Sequence, residues 1–159
     1  LFALVYLLVW AAASLAAALA QQHLAATGLL SSHGLMFGDP ALAGGLLIVA
    51  GLYQLTPVKR LCLERCRAPL SFLMRGWRPD LVGAVRLGLY HGFYCLCCCW
   101  LLMALLFVGG VMNLGWVALL AFIVLAEKIL PGGRIIALAV GIVAIVWGIV
   151  LAAYGSGLV

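Results

Sequence analysis

Apolar positions in this chain fall into long unbroken runs separated by short polar connections, with neither the stripes of amphipathic helices nor the alternation of half-buried strands. The runs lie at about 1–21, 41–57, 85–110, 114–130 and 134–155 and are apolar on every face. A helix needs about 20 such residues to cross a hydrocarbon core of about 30 Å. A membrane barrel would instead alternate apolar and polar residues over about ten positions. The pattern therefore predicts an all-α, polytopic membrane protein, with about five transmembrane helices forming a single domain over 1–159.

The polar positions orient these spans. The connection 21–40 carries His23, His33 and Asp39 but no Lys or Arg. The connection 58–84 holds Lys59, Arg60, Arg65, Arg67, Arg75 and Arg78, with Arg86 just beyond it. The hinge at 109–116 is uncharged, and 127–134 carries Lys128 and Arg134. All nine basic residues thus stand on or beside alternate connections, which predicts that 58–84 and 127–134 are cytoplasmic. Within the first of these, APLSFLMRGWRP at 68–79 mixes large apolar side chains with arginine, as a helix lying at the cytoplasmic membrane surface does.

Composition strengthens this picture. Hydrophobic residues make up 68% of the chain and mean hydropathy is +1.29, far from soluble domains. The net charge of +5 does not point to nucleic acid, because the basic residues sit at helix ends and in one loop. Leu1 already lies in an apolar run, with neither an initiator Met nor a basic leader, so further helices are expected upstream in the full gene product.

Candidate chemistry is concentrated in HGFYCLCCCW, 91–100. At 3.6 residues per turn, His91, Cys95, Cys98 and Cys99 fall within an arc of about 100°, and Cys97 points away as a packing residue. Ala84, Gly88, Gly109 and Asn113 share the same face, where small and polar residues suit contact with other helices. Cys62 and Cys66 in KRLCLERCR are spaced i, i+4, so continued helix past Lys59 would turn both thiols one way. The two clusters lie at similar cytoplasmic depth. Together they suit a thiophilic ion such as copper(I) or zinc(II). Thiol–disulfide exchange competes, but a reducing face, the lack of a thioredoxin-type C-x-x-C and the poor geometry of vicinal Cys98 and Cys99 weigh against it. A structural or assembly role within a larger membrane complex, with the cysteines as helix packing or a closed zinc site, is the alternative from another class.

Other residues add less. Glu127, at the end of the fourth run, is expected to pair with Lys128 or a loop arginine, leaving a supporting role near the thiols open. Met103 and Met112 could pass a soft cation outward with Asn113 at the rim, although packing is the commoner role of methionine. Acids are few and the histidines scattered, so nothing specifies an enzyme.

The segments GLYQLTPVKRLCLERCRAPLSF (51–72) and GLYHGFYCLCCCWLLMALLFVGGVMNLGWVALLAFIVLAEKILPGG (88–133) resemble a bacterial family of predicted metal-binding integral membrane proteins, a domain of unknown function. The resemblance rests on KxxCLxxCRxP, HGxYCxxCCW and GxMNLxW. It implies metal-associated roles for Cys62, Cys66, His91, Cys95, Cys98 and Cys99, with Gly110, Met112, Asn113, Glu127 and Lys128 as further signature positions. It also implies a multi-pass protein of the bacterial inner membrane. Its members carry upstream helices with a Met-Met-Pro-Ser type signature that this sequence lacks, and Cys97 stands where they have a small residue. The combined expectation is a lipid-embedded protein that binds a soft metal for handling, sensing or delivery to a membrane metalloprotein.

Overall fold

A computed structural model describes residues 1–31, 35–67 and 80–156. The expected surface helix at 68–79 and His33 lie outside these residues. Among the described residues seven helices follow one another: α1 (Phe2–Ala26), α2 (Pro40–Leu55), α3 (Pro57–Arg67), α4 (Leu81–Ala104), α5 (Leu106–Gly109), α6 (Leu114–Ile129) and α7 (Gly133–Gly155). Among the described residues the extended structure amounts to one isolated bridge, Leu30 with Phe37. The all-α expectation holds.

Helix boundaries follow local chemistry. Asp39 caps α2 by accepting from the Ala41 N–H at 2.8 Å, with Pro40 in the first helical position, where its missing N–H is harmless. Asp80 caps α4 through the Gly83 N–H, and Asn113 caps α6 through the Trp116 N–H. Asn113, expected at an outer rim, is thus occupied as a helix cap.

The second expected span, 41–57, ends close to where α2 does, and the helix that carries Cys62 and Cys66 is not its straight continuation. Pro57 has no N–H for the helical ladder and drives the preceding residue to extended backbone, so Thr56 adopts φ −73° and ψ 149° and α2 ends. Its hydroxyl then accepts from the Lys59 N–H at 3.3 Å and starts α3, which departs at 66° from α2.

Among the described residues three segments are long and apolar enough to cross a membrane: Phe2–Ala26, Leu81–Gly109 (α4 and α5 taken together) and Gly133–Gly155. The bent pair α2–α3 would make a fourth. The expected count of about five is not confirmed, since the run at 114–130 forms the 16-residue α6. At 1.5 Å per residue it extends about 24 Å, short of the hydrocarbon thickness.

Helix α2 lies along α7 in the most extensive packing of the molecule, α1 lies against α4, and α3 is wedged between α4 and α6. The α2–α7 seam is closed by glycine: a Cβ on Gly51 would stand 2.6 Å from the Gly141 carbonyl, and one on Gly44 2.6 Å from that of Gly148. Much of the exterior is apolar, with Leu7, Leu15, Phe93, Phe122 and Ile142 all exposed, while α1 buries only Val5.

Candidate metal centre

Thiols form the middle of the packed interior. Of the fourteen residues in its buried cluster, five are cysteines: Cys62 and Cys66 from α3 and Cys95, Cys98 and Cys99 from α4. Each of these five is buried, Cys98 and Cys99 to 1% exposure, and all six cysteines are free thiols. The i, i+4 spacing places both α3 thiols inward, although α3 begins only after the break at Thr56.

The thiols divide into two groups. Cys66 reaches into α4 and meets the side chains of Cys95 and Cys98, and Cys98 in turn meets Cys99. Cys62 instead meets Cys97, whose Sγ lies 3.3 Å from the Tyr53 hydroxyl. That hydroxyl donates to the Cys97 carbonyl at 2.6 Å. Cys97, expected to point away as packing, does lie on another face of α4, yet that face looks toward α2 and α3. The single convergence expected of both clusters is therefore a buried group around Cys66 with a side pair beside it.

His91 stands one turn before Cys95, its Nε2 3.7 Å from the Cys95 Sγ. Its ring is covered by α1, with centroids 5.7 Å from Tyr6 and 6.0 Å from Phe2. Glycine permits this approach, since a Cβ on Gly88 would stand 2.8 Å from the Phe2 carbonyl. Tyr6 also meets the Cys95 side chain. Helix α1 thus lids the imidazole end of the group.

Among the described residues, no set of three or more His, Cys, Asp or Glu side chains stands ready to hold an ion. The reason lies in the rotamers. The thiols of Cys98 and Cys99 both donate to the Cys95 carbonyl at 3.1 Å, so their sulfurs are turned back onto their own helix. Such thiol–carbonyl bonds are weak, so they do not commit either sulfur strongly. The donor set of soft sulfurs and one imidazole is of the type that takes copper(I) or zinc.

Two cations flank the thiols. Lys128 interacts electrostatically with Cys98, Cys99, Cys95 and Cys66, and its Nζ lies 6.0 Å from the Trp10 ring centroid. Lys59 is buried to 1% exposure and donates to Glu127 Oε2 at 2.8 Å, while Gln54 Nε2 donates to Glu127 Oε1 at 2.8 Å. Glu127 therefore pairs with Lys59, correcting the expected partners, Lys128 and a loop arginine. The available signal was depth: a carboxylate buried in apolar surroundings needs a cation, and Lys59 begins the neighbouring helix at the same end. Lys128 is left to face the sulfurs.

The loop side is fastened by arginine. Arg65 donates to the Tyr94 hydroxyl, and its guanidinium lies 4.7 Å from that ring centroid. Arg67 donates to the Leu130 carbonyl, joining the end of α3 to the connection between α6 and α7. These contacts hold α3, and with it Cys62 and Cys66, against α4.

Residues 1–151 match the family model of PpoB2, described as a copper chaperone. The chain belongs to this family. The family description agrees with the metal-related resemblance of the sequence. No curated protein and no solved structure matches the chain.

Proposed function

We propose that the chain is a membrane-embedded copper(I) chaperone that holds its ion between α3 and α4 and passes it to a membrane metalloprotein. The observation that supports this reading is the approach of the Cys66 side chain to those of Cys95 and Cys98, which brings sulfur from two separate helices together in the buried interior. Soft thiolates favour copper(I) over hard divalent ions, and two or three sulfurs satisfy it. Cys66, Cys95 and Cys98 would form the centre, with Cys99 and His91 beside it and Cys62 on the approach from α3. Ligation requires loss of thiol protons, and Lys128 stands where negative charge would develop. Transfer then proceeds by replacing one sulfur at a time with donors of the receiving protein, with no change in oxidation state.

The apolar exterior and three spans of sufficient length support the embedding, and the alternating basic connections support cytoplasmic placement of the thiol end. A bacterial inner membrane is the setting we infer. Helix α6 would enter the bilayer as a short element packed on α7 and α3.

Metal content decides the matter. Protein purified under reducing conditions from copper-supplemented cells should carry near-stoichiometric copper, lost in a Cys66→Ser/Cys98→Ser variant that retains its helical circular dichroism. Zinc in place of copper would move the reading to a closed structural site. Absence of both metals from the wild type would overturn it in favour of an assembly subunit with cysteines as packing.

A further inference from the structure

A cavity of about 260 Å³ opens where α2 gives way to α3 beside the start of α7, outside the thiol group. Its lining includes Gln54, Lys59, Arg60, Glu64, Arg67 and Arg134, set among apolar side chains. Four cations thus meet at one place. Two of them are neutralised: Lys59 by Glu127 at 2.8 Å and Arg60 by Glu64 at 2.9 Å. Arg67 is bonded to a carbonyl, which leaves its charge uncompensated, and Arg134 makes no ion pair among the described residues. The cavity therefore has two guanidinium charges in excess.

The lining therefore calls for an anion, and a phosphate group meets that demand, since guanidinium forks bind its oxygens in pairs. Basic pockets between helices at a cytoplasmic interface take lipid phosphates for the same reason.

We propose that this cavity is a phosphate-group site, in which Arg134 and Arg67 bind the anionic oxygens. The phosphate can come from an anionic phospholipid headgroup or from solution. Arg134 is exposed in the first turn of α7, so its replacement leaves the packing intact.

The test is thermal unfolding of the full chain in detergent micelles doped with phosphatidylglycerol, with phosphatidylcholine, or with inorganic phosphate added alone. Phosphatidylglycerol should raise Tm by a few degrees over phosphatidylcholine, and Arg134→Ala and Arg67→Gln should each remove most of that rise. Arg86→Ala, a basic residue on α4 that does not line the cavity, should retain it. A rise with inorganic phosphate of the same size, also lost in Arg134→Ala, would assign the site to free phosphate. Equal Tm in all three media, or a phosphatidylglycerol effect that survives in Arg134→Ala, would overturn the proposal.

Discussion

At the scale of single residues, the strongest constraint is the ion pair between Lys59 and Glu127, at 1% and 2% exposure. Taking both charges from water is unfavourable, and only their mutual contact with help from Gln54 offsets it. Removing one partner leaves the other charge stranded. Glu127→Ala should therefore lower stability by about 3–5 kcal/mol, whereas Lys59→Met combined with Glu127→Leu should recover most of that loss. Thermal or denaturant unfolding in detergent checks both, and a Glu127→Ala protein as stable as the wild type would contradict the account. The pair Arg60–Glu64 is a contrast, being about half exposed on one face of α3. Glu64→Ala should change stability by less than about 1 kcal/mol. Among the described residues Glu127 pairs with neither Lys128 nor an arginine, because proximity along the chain favoured Lys128 while the fold brought in a residue 68 positions away.

Among elements, the contact between α2 and α7 depends on the absence of side chains. Gly44 and Gly51 on one helix meet Gly148 and Gly141 on the other, with backbone atoms where a Cβ would have to go. Helices that approach this closely gain dispersion contacts over their length, the main source of helix association where no water is displaced. Gly51→Val should force the helices apart and destabilise by about 1–3 kcal/mol or more. Gly45, one residue along from Gly44, faces open space. Gly45→Ala should be neutral or stabilising by up to about 1 kcal/mol, since alanine is the better helix former. A comparison of the two unfolding midpoints tests whether position or glycine itself matters. Legibility at this scale was uneven. Helix positions could be read from apolar runs, and Gly88 and Gly109 were rightly placed on a contact face. The end of the second run, placed at 57, lies beside the break at Thr56, but the 66° turn into α3 was not legible because an apolar run reports no angle between successive helices. The α2–α7 seam stayed hidden because glycines scattered through two helices become a pattern only when the partners are known.

For the whole molecule, the proposed copper site would couple an ion to stability. Its sulfurs come from α3 and α4, and α3 is otherwise held by side-chain contacts such as Arg65 to Tyr94 and Arg67 to Leu130. Spacing alone revealed that Cys62 and Cys66 share a face and that Cys95, Cys98 and Cys99 share another. It did not reveal that Cys66 enters the α4 group while Cys62 turns to Cys97, since that division depends on the angle at which α3 crosses α4. An ion bridging Cys66 to Cys95 or Cys98 would fasten the two helices together, so copper(I) binding should stabilise the folded chain by about 4 kcal/mol when free ion is a thousandfold above Kd. The same bridge predicts a pattern of protection. Under reducing conditions, copper(I) should slow alkylation of Cys66, Cys95 and Cys98 most strongly, with Cys97 protected least because its sulfur lies against Tyr53. Residue-resolved alkylation by mass spectrometry distinguishes this from general tightening, which would slow all six thiols alike. In Cys66→Ser both the stabilisation and the protection of Cys95 should fall together, because the only α3 sulfur at that point is gone. Protection of Cys95 and Cys98 that persisted undiminished in this variant would place the ion on α4 alone and remove α3 from the site.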